Sequence, residues 1–128
     1  MQLLRTTTLP ATTPTAIAIG NFDGLHLGHQ KLIQSMVMDA QNQRLLPMVV
    51  SFYPHPYHYF EQQKTVAATN IRWQVSNRHE KTYWLQRWGV NTIYWLRFNH
   101  ALIQMNANDF IQRILQKRLR AQRIWVGE

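Results

Sequence analysis

A four-residue apolar run, Ala16-Ile17-Ala18-Ile19, stops at Gly20 and opens into Gly20-Asn21-Phe22-Asp23-Gly24-Leu25-His26-Leu27-Gly28-His29, where glycine recurs at every fourth position. The run is too short for a helix and too apolar for a surface strand, so it reads as a buried strand. From about Leu27 to Arg44, the residues Leu32, Ile33, Met36, Val37 and Ala40 recur at spacings of three and four, which marks one face of an amphipathic helix. A buried strand entering a glycine-spaced turn and then a helix is the beginning of a parallel α/β unit.

The remaining chain keeps that alternation. Pro47 to Phe52 is apolar and β-branched and stops at the rigid segment Pro54-His55-Pro56, a strand followed by a loop. Asn77 with Glu80 three residues on has the form of a capping box, and Tyr83, Trp84, Leu85 and Trp88 continue a helix that Gly89 can end. Asn91 to Phe98 reads as a third strand and is followed by a short turn of helix. Asn106 is placed as an N-cap before Phe110, Ile111, Ile114, Leu115 and Leu119, one face of a third long helix, and Arg123 to Val126 reads as a fourth strand. Residues 1–14 hold Pro10 and Pro14 and read as a leader, so the fold is expected to start near Thr15 and to form one domain over residues 15–128. The expected class is α/β, with a parallel sheet and helical crossovers.

Composition narrows the chemistry. With 45% hydrophobic and 16% charged residues the chain can build a core, and the absence of cysteine excludes a disulfide framework, a thiolate metal site and a thiol nucleophile. No apolar run approaches a membrane span, and the N-terminus lacks a secretory signal, so no membrane partner and a cytoplasmic location are expected. The net charge is +8, and all of the excess lies after Gln63, with five basic residues and no acid from Arg113 to Arg123. Such a surplus attracts phosphate-bearing partners, although a solvated helix face is the plainer account of the run itself.

The loop is shaped for phosphate. Gly20, Gly24 and Gly28 let the backbone turn and approach a ligand, and a strand end facing a helix N-terminus is where parallel sheets bind nucleotides. His26 and His29, three apart, point to one side of a first helical turn and offer ring donors to the charge that grows on a transferring phosphate. The segment is neither GxGxxG nor GxxxxGK[ST], which excludes those two phosphate-binding loops. A solvent-facing histidine pair or a zinc pair remains open from the HxGH letters alone.

At these residues the sequence resembles the prokaryotic FAD synthetase family, the bifunctional riboflavin kinase and FMN adenylyltransferase, in its N-terminal adenylyltransferase module. IGNFDGLHLGHQKLI is similar to the family's ATP signature, SFYPHP to its (T/S)FxPHP loop, and GVNTIYWLRFN with NANDFIQRIL to a later strand and helix, over Ala16 to Glu128. The resemblance implies the Rossmann-like fold of the HxGH nucleotidyltransferases. It also implies transfer of AMP from ATP to FMN, giving FAD and pyrophosphate with Mg²⁺. On that resemblance His26, His29 and Asn21 would be catalytic, while Gly20, Phe22, Asp23, Gly24, Gly28 and Gly127 would bind ATP. Pro54, His55 and Pro56 would form a loop on the flavin side, and Tyr53 replaces the acid usual before PHP. No protein metal ligand is assigned.

The family pattern continues beyond Trp125-Val126-Gly127-Glu128 into further flavin and triphosphate segments and a riboflavin kinase module. None of these lies in the sequence, so kinase activity is not expected. The sheet is expected to lack its last elements and to expose an edge near Trp125 that favours self-association. Two readings stand beside the enzyme: a nucleotide-binding fragment without turnover, and a basic module for nucleic acid, the latter not expected to prevail.

Overall fold

In the computed structural model the described residues are 2–5, 12–22, 27–53 and 71–127. They build a five-stranded, all-parallel sheet. In chain order the elements are β1 (Gln2–Arg5), β2 (Thr15–Ile19), α1 (Leu27–Gln43), β3 (Leu46–Tyr53), α2 (Ile71–Arg87), β4 (Thr92–Arg97), the short α3 (His100–Gln104), α4 and β5 (Ala121–Val126). Here α4 comprises Ala107–Asp109 and its continuation as a π-helix over Phe110–Arg118. The spatial order is β1-β4-β3-β2-β5.

Two expectations change. The leader contributes a strand: Gln2 to Arg5 pairs in parallel with Thr92 to Trp95, so the sheet begins well before Thr15. Both prolines lie beyond this strand, and at the sheet edge a short strand needs a partner on one side only. Asn77 does not cap a helix, because α2 already runs from Ile71 and places Asn77 inside it. The cap-like pair is a local match that the ongoing helix overrides. Asn106, by contrast, caps α4, its Oδ1 accepting from the Asp109 backbone N–H at 2.8 Å.

Because side chains alternate along each strand, the sheet is buried on both faces. Ala16, Ala18, Val49, Ile93 and Trp95 meet Ile33, Met36, Val37 and Ala40 of α1 and Leu85 of α2 on one side. Ile17, Ile19, Met48, Val50, Tyr94 and Leu96 meet Leu115 and Leu119 of α4 on the other, with Phe110 and Ile114 packed against them. The π-helical winding of α4 bears on that second layer. Its contacting residues are spaced by four and five rather than three and four, and the Leu119 N–H donates to the Ile114 carbonyl, one residue further back than in an α-helix.

The α2 end is closed as the sequence suggests. Gly89 has φ +94°, its N–H donates to the Gln86 carbonyl, and the next residue's N–H returns to Leu85. A Cβ on Gly89 would stand 3.1 Å from Val37 Cγ1, so α1 closes the space as well. Gly89→Ala is therefore expected to cost about 1–3 kcal/mol of stability, read as a lower urea midpoint with an unchanged slope.

Candidate functional site

From β2 the chain steps outward to β3 and β4 on one side and returns to β5 on the other. The carboxyl ends of β2 and β5 thus form the point where the strand order reverses, which is where open parallel sheets hold ligands. The end of β2 is tied to both neighbouring strands there: the Gly127 N–H, just past β5, donates to the Ile19 carbonyl at 2.7 Å, and the Gly20 N–H donates to the Val50 carbonyl of β3 at 3.1 Å.

Asn21 and Phe22 then turn the chain. Phe22 takes φ +52°, a left-handed conformation costly for a residue with a Cβ, and its ring is fully buried. That ring meets the His29 imidazole edge-on, with centroids 5.4 Å apart. It also reaches below Gly127, where an added Cβ would lie 2.8 Å from its Cε1. His29, the third residue of α1, is 7% exposed, so it is no solvent-facing cap residue. Gly28 before it is exposed on the first turn, and that turn carries no acidic residue to offset the positive end of the helix dipole.

Of the residues singled out in the sequence, Gly20, Asn21, Phe22, His29 and Gly127 come together at this edge, with Gly28 at the entrance of α1. Asp23, Gly24 and His26 lie outside the described residues, as do Pro54, His55 and Pro56. Beside the cluster, on the α4 side of the sheet, is a cavity of about 350 Å³ lined by Ile19, Asn21, Phe52, Phe110, Ile111 and Val126 among others. Its walls are almost wholly apolar. Asn21 is its polar exception, and the Asn21 Oδ1 is buried with no hydrogen-bond partner among the described residues.

The sequence model of the FAD synthetase family matches residues 9–128. The chain belongs to the FAD synthetase family. It is 32% identical over 112 residues to the bifunctional riboflavin kinase/FMN adenylyltransferase of Escherichia coli strain K12, covering 88% of this chain and 34% of that protein. To the protein of the same description from Buchnera aphidicola subsp. Schizaphis graminum it is 29% identical, over 89% of this chain and 35% of the relative. The chain thus spans about a third of the length of these relatives. Its fold is similar to that of a Streptococcus pneumoniae crystal structure described as a macrolide-efflux protein, with TM-score 0.74 and 22% identity over 99% of this chain and 48% of the other.

Family membership accounts for the loop, yet one residue of the site escaped the sequence reading. Lys81 of α2 is 4% exposed, and its Nζ donates to the Asn21 carbonyl at 2.5 Å. The signal was available: Lys81 stands four residues before the buried Leu85, a charge where the helix period calls for an apolar side chain.

The basic run from Arg113 to Arg123 is largely engaged within the fold. Arg118 donates to the Tyr94 hydroxyl at 3.4 Å, Arg120 donates to the Thr12 carbonyl, and Arg123 pairs with Asp39 of α1 at 3.5 Å. Among the described residues no group of three or more His, Cys, Asp or Glu assembles as a metal cluster, and no helix is long and apolar enough to cross a membrane. The expected sheet edge is present: β5 is outermost, with Ile124 and Val126 exposed and Trp125 packed against the core.

The fit of Phe22 beneath Gly127 generates a direct expectation. Gly127→Ala should destabilise the protein by about 1–3 kcal/mol through overpacking. Combining it with Phe22→Leu should recover part of that loss, which a double-mutant cycle of unfolding free energies measures.

Proposed function

We propose that this chain carries the adenylyl-transfer reaction of its family, in which an FMN phosphate oxygen attacks the α-phosphorus of ATP while the bond to the leaving pyrophosphate breaks. The observation that carries this reading is the cluster of Asn21, Phe22, His29 and Gly127 at the strand-order reversal, beside an apolar cavity, in a chain matched almost throughout by the FAD synthetase model. Relatives from Escherichia coli and Buchnera aphidicola that bear the name FMN adenylyltransferase support it.

The acceptor phosphate is itself the nucleophile, so no side chain need form a covalent intermediate and the protein's work is placement and charge stabilisation. The uncompensated start of α1, with His29 on its first turn and His26 just before it, would face the triphosphate. The cavity, within the usual range of roughly 300–1,000 Å³ for small-molecule sites, would take a heteroaromatic ring. Asn21, the polar residue of its lining, would orient that ligand. Asp23 and Gly24 would complete the ATP loop, and Pro54, His55 and Pro56 the flavin side.

Mg²⁺ would enter this arrangement as an ion carried by the triphosphate, which needs few protein ligands. When bound it would offset phosphate charge. The same reading places the protein in the cytoplasm, and it includes self-association through the exposed β5 edge. A clean monomer by size-exclusion chromatography at high concentration would argue against that last point.

The decisive experiment is calorimetric titration of MgATP, followed by FAD formation from ATP and FMN. The parent should bind ATP saturably, and His29→Ala should lower turnover by ~100-fold, the scale on which one transition-state donor acts, while remaining folded by circular dichroism. A folded His29→Ala protein that binds and turns over ATP like the parent would sink the assignment.

A further inference from the structure

An ammonium group at the buried face of a helix is expensive to keep unless its hydrogen bonds do something a methyl group cannot. Lys81 occupies such a position on α2, and one acceptor it reaches is a main-chain carbonyl at the mouth of the candidate site. That acceptor, Asn21 O, belongs to the peptide joining Asn21 to Phe22. Because a peptide unit is planar, holding its oxygen also fixes the direction of the Phe22 N–H, and with it one of the two planes that define φ at Phe22. Phe22 φ is the strained angle, at +52°, and it aims the ring at both His29 and Gly127.

A second donor to the same oxygen exists but is weaker. Ser51 Oγ lies 3.4 Å away, at the limit of a hydrogen bond, whereas the charged Lys81 donor is at 2.5 Å. The strained peptide is therefore clamped chiefly from α2. His29 stands on α1 and Phe22 on the β2–α1 turn, so the contact couples the second crossover helix to the first ligand loop.

We propose that Lys81 is a positioning residue of the nucleotide site: its ammonium clamps the Asn21–Phe22 peptide and so holds the Phe22 ring against His29 in the binding-competent arrangement. The functional half of this inference rests on the nucleotide reading above, while the structural half does not.

Lys81→Met keeps the buried stem and removes the donor and the charge. Melting temperature should fall modestly with the protein still folded, since the apolar stem is kept while the Asn21 carbonyl loses its charged donor. The His29 ring-proton resonances should nevertheless move as the Phe22 ring leaves its edge-on position, and ATP affinity should fall by ~10-fold or more, as expected for a misplaced binding group. Lys81→Arg, which retains a charged donor, should recover part of both. A folded Lys81→Met protein with the parent's His29 resonances and ATP affinity overturns the proposal. If Lys81→Met does not fold, Lys81→Arg decides: a folded arginine variant with resonances and affinity nearer the parent's supports the clamp, and failure of both variants to fold makes Lys81 purely structural and overturns it. Should the parent bind no ATP, the nucleotide reading falls, and the His29 resonances still decide whether Lys81 sets the Phe22 ring.

Discussion

Phe22 holds a left-handed backbone angle of +52° with its ring wholly buried, a combination that costs a residue with a Cβ of order 1–3 kcal/mol. The cost is met because several neighbours converge on that corner. Gly127 leaves the space a Cβ would fill, the His29 ring meets the phenyl edge, and the Asn21 carbonyl before it takes the Lys81 ammonium. Each contributor comes from a different part of the chain: the residue after β5, α1 and α2. Loosening any of them frees the turn that connects β2 to α1, which is the turn proposed to bind ATP.

The alternation of side chains through the sheet bears on the ligand proposed for this edge. His29 and Phe22 belong to the layer beneath α1 and α2, whereas the apolar cavity opens on the layer beneath α4. Both approach the carboxyl end of β2, from opposite faces. On the proposed function, a molecule engaging both would cross that end near Asn21 and Gly127, with its ring on one side and its phosphates on the other. Nucleotides have that division of polarity, and a compact metabolite with its charge centred on an apolar frame does not.

Much of this was legible in the letters. The β2–loop–α1 unit announced itself because a buried strand, spaced glycines and a 3.6-residue period are local signals, and Asn106 and Gly89 mark helix ends through local hydrogen bonds. Less local features were out of reach. Gln2 to Arg5 becomes a strand only because the β4 edge stands open to it, a non-local pairing that four residues of sequence do not encode. The π-helical winding of α4 was hidden for a related reason, since Phe110, Ile114, Leu115 and Leu119 fit an α-helical face nearly as well as a wider one. Lys81 was overlooked although the sequence marked it, because a lysine among Glu80 and Thr82 resembles ordinary surface composition until Leu85 identifies the face it shares.

The charge distribution shows how far sequence arithmetic and structure diverge. The cluster from Arg113 to Arg123 invites an interface, yet Arg118, Arg120 and Arg123 are turned to Tyr94, Thr12 and Asp39, holding α4 and β5 against the rest of the domain. Such surface contacts are individually weak, with exposed ion pairs worth about 0–1 kcal/mol. Arg118 and Arg120 keep their charge for partners, because a hydrogen bond to a neutral hydroxyl or carbonyl leaves the guanidinium charge in place, whereas Arg123 meets the opposite charge of Asp39. The net charge of +8 acts as a field rather than as a set of contacts. A field of that sign raises the local concentration of any polyphosphate without selecting its sequence or ring, and it fades with a Debye length of about 8 Å at physiological ionic strength. Selectivity has to come from the short-range geometry at β2 and β5, where one strained peptide, one buried imidazole and one apolar cavity meet.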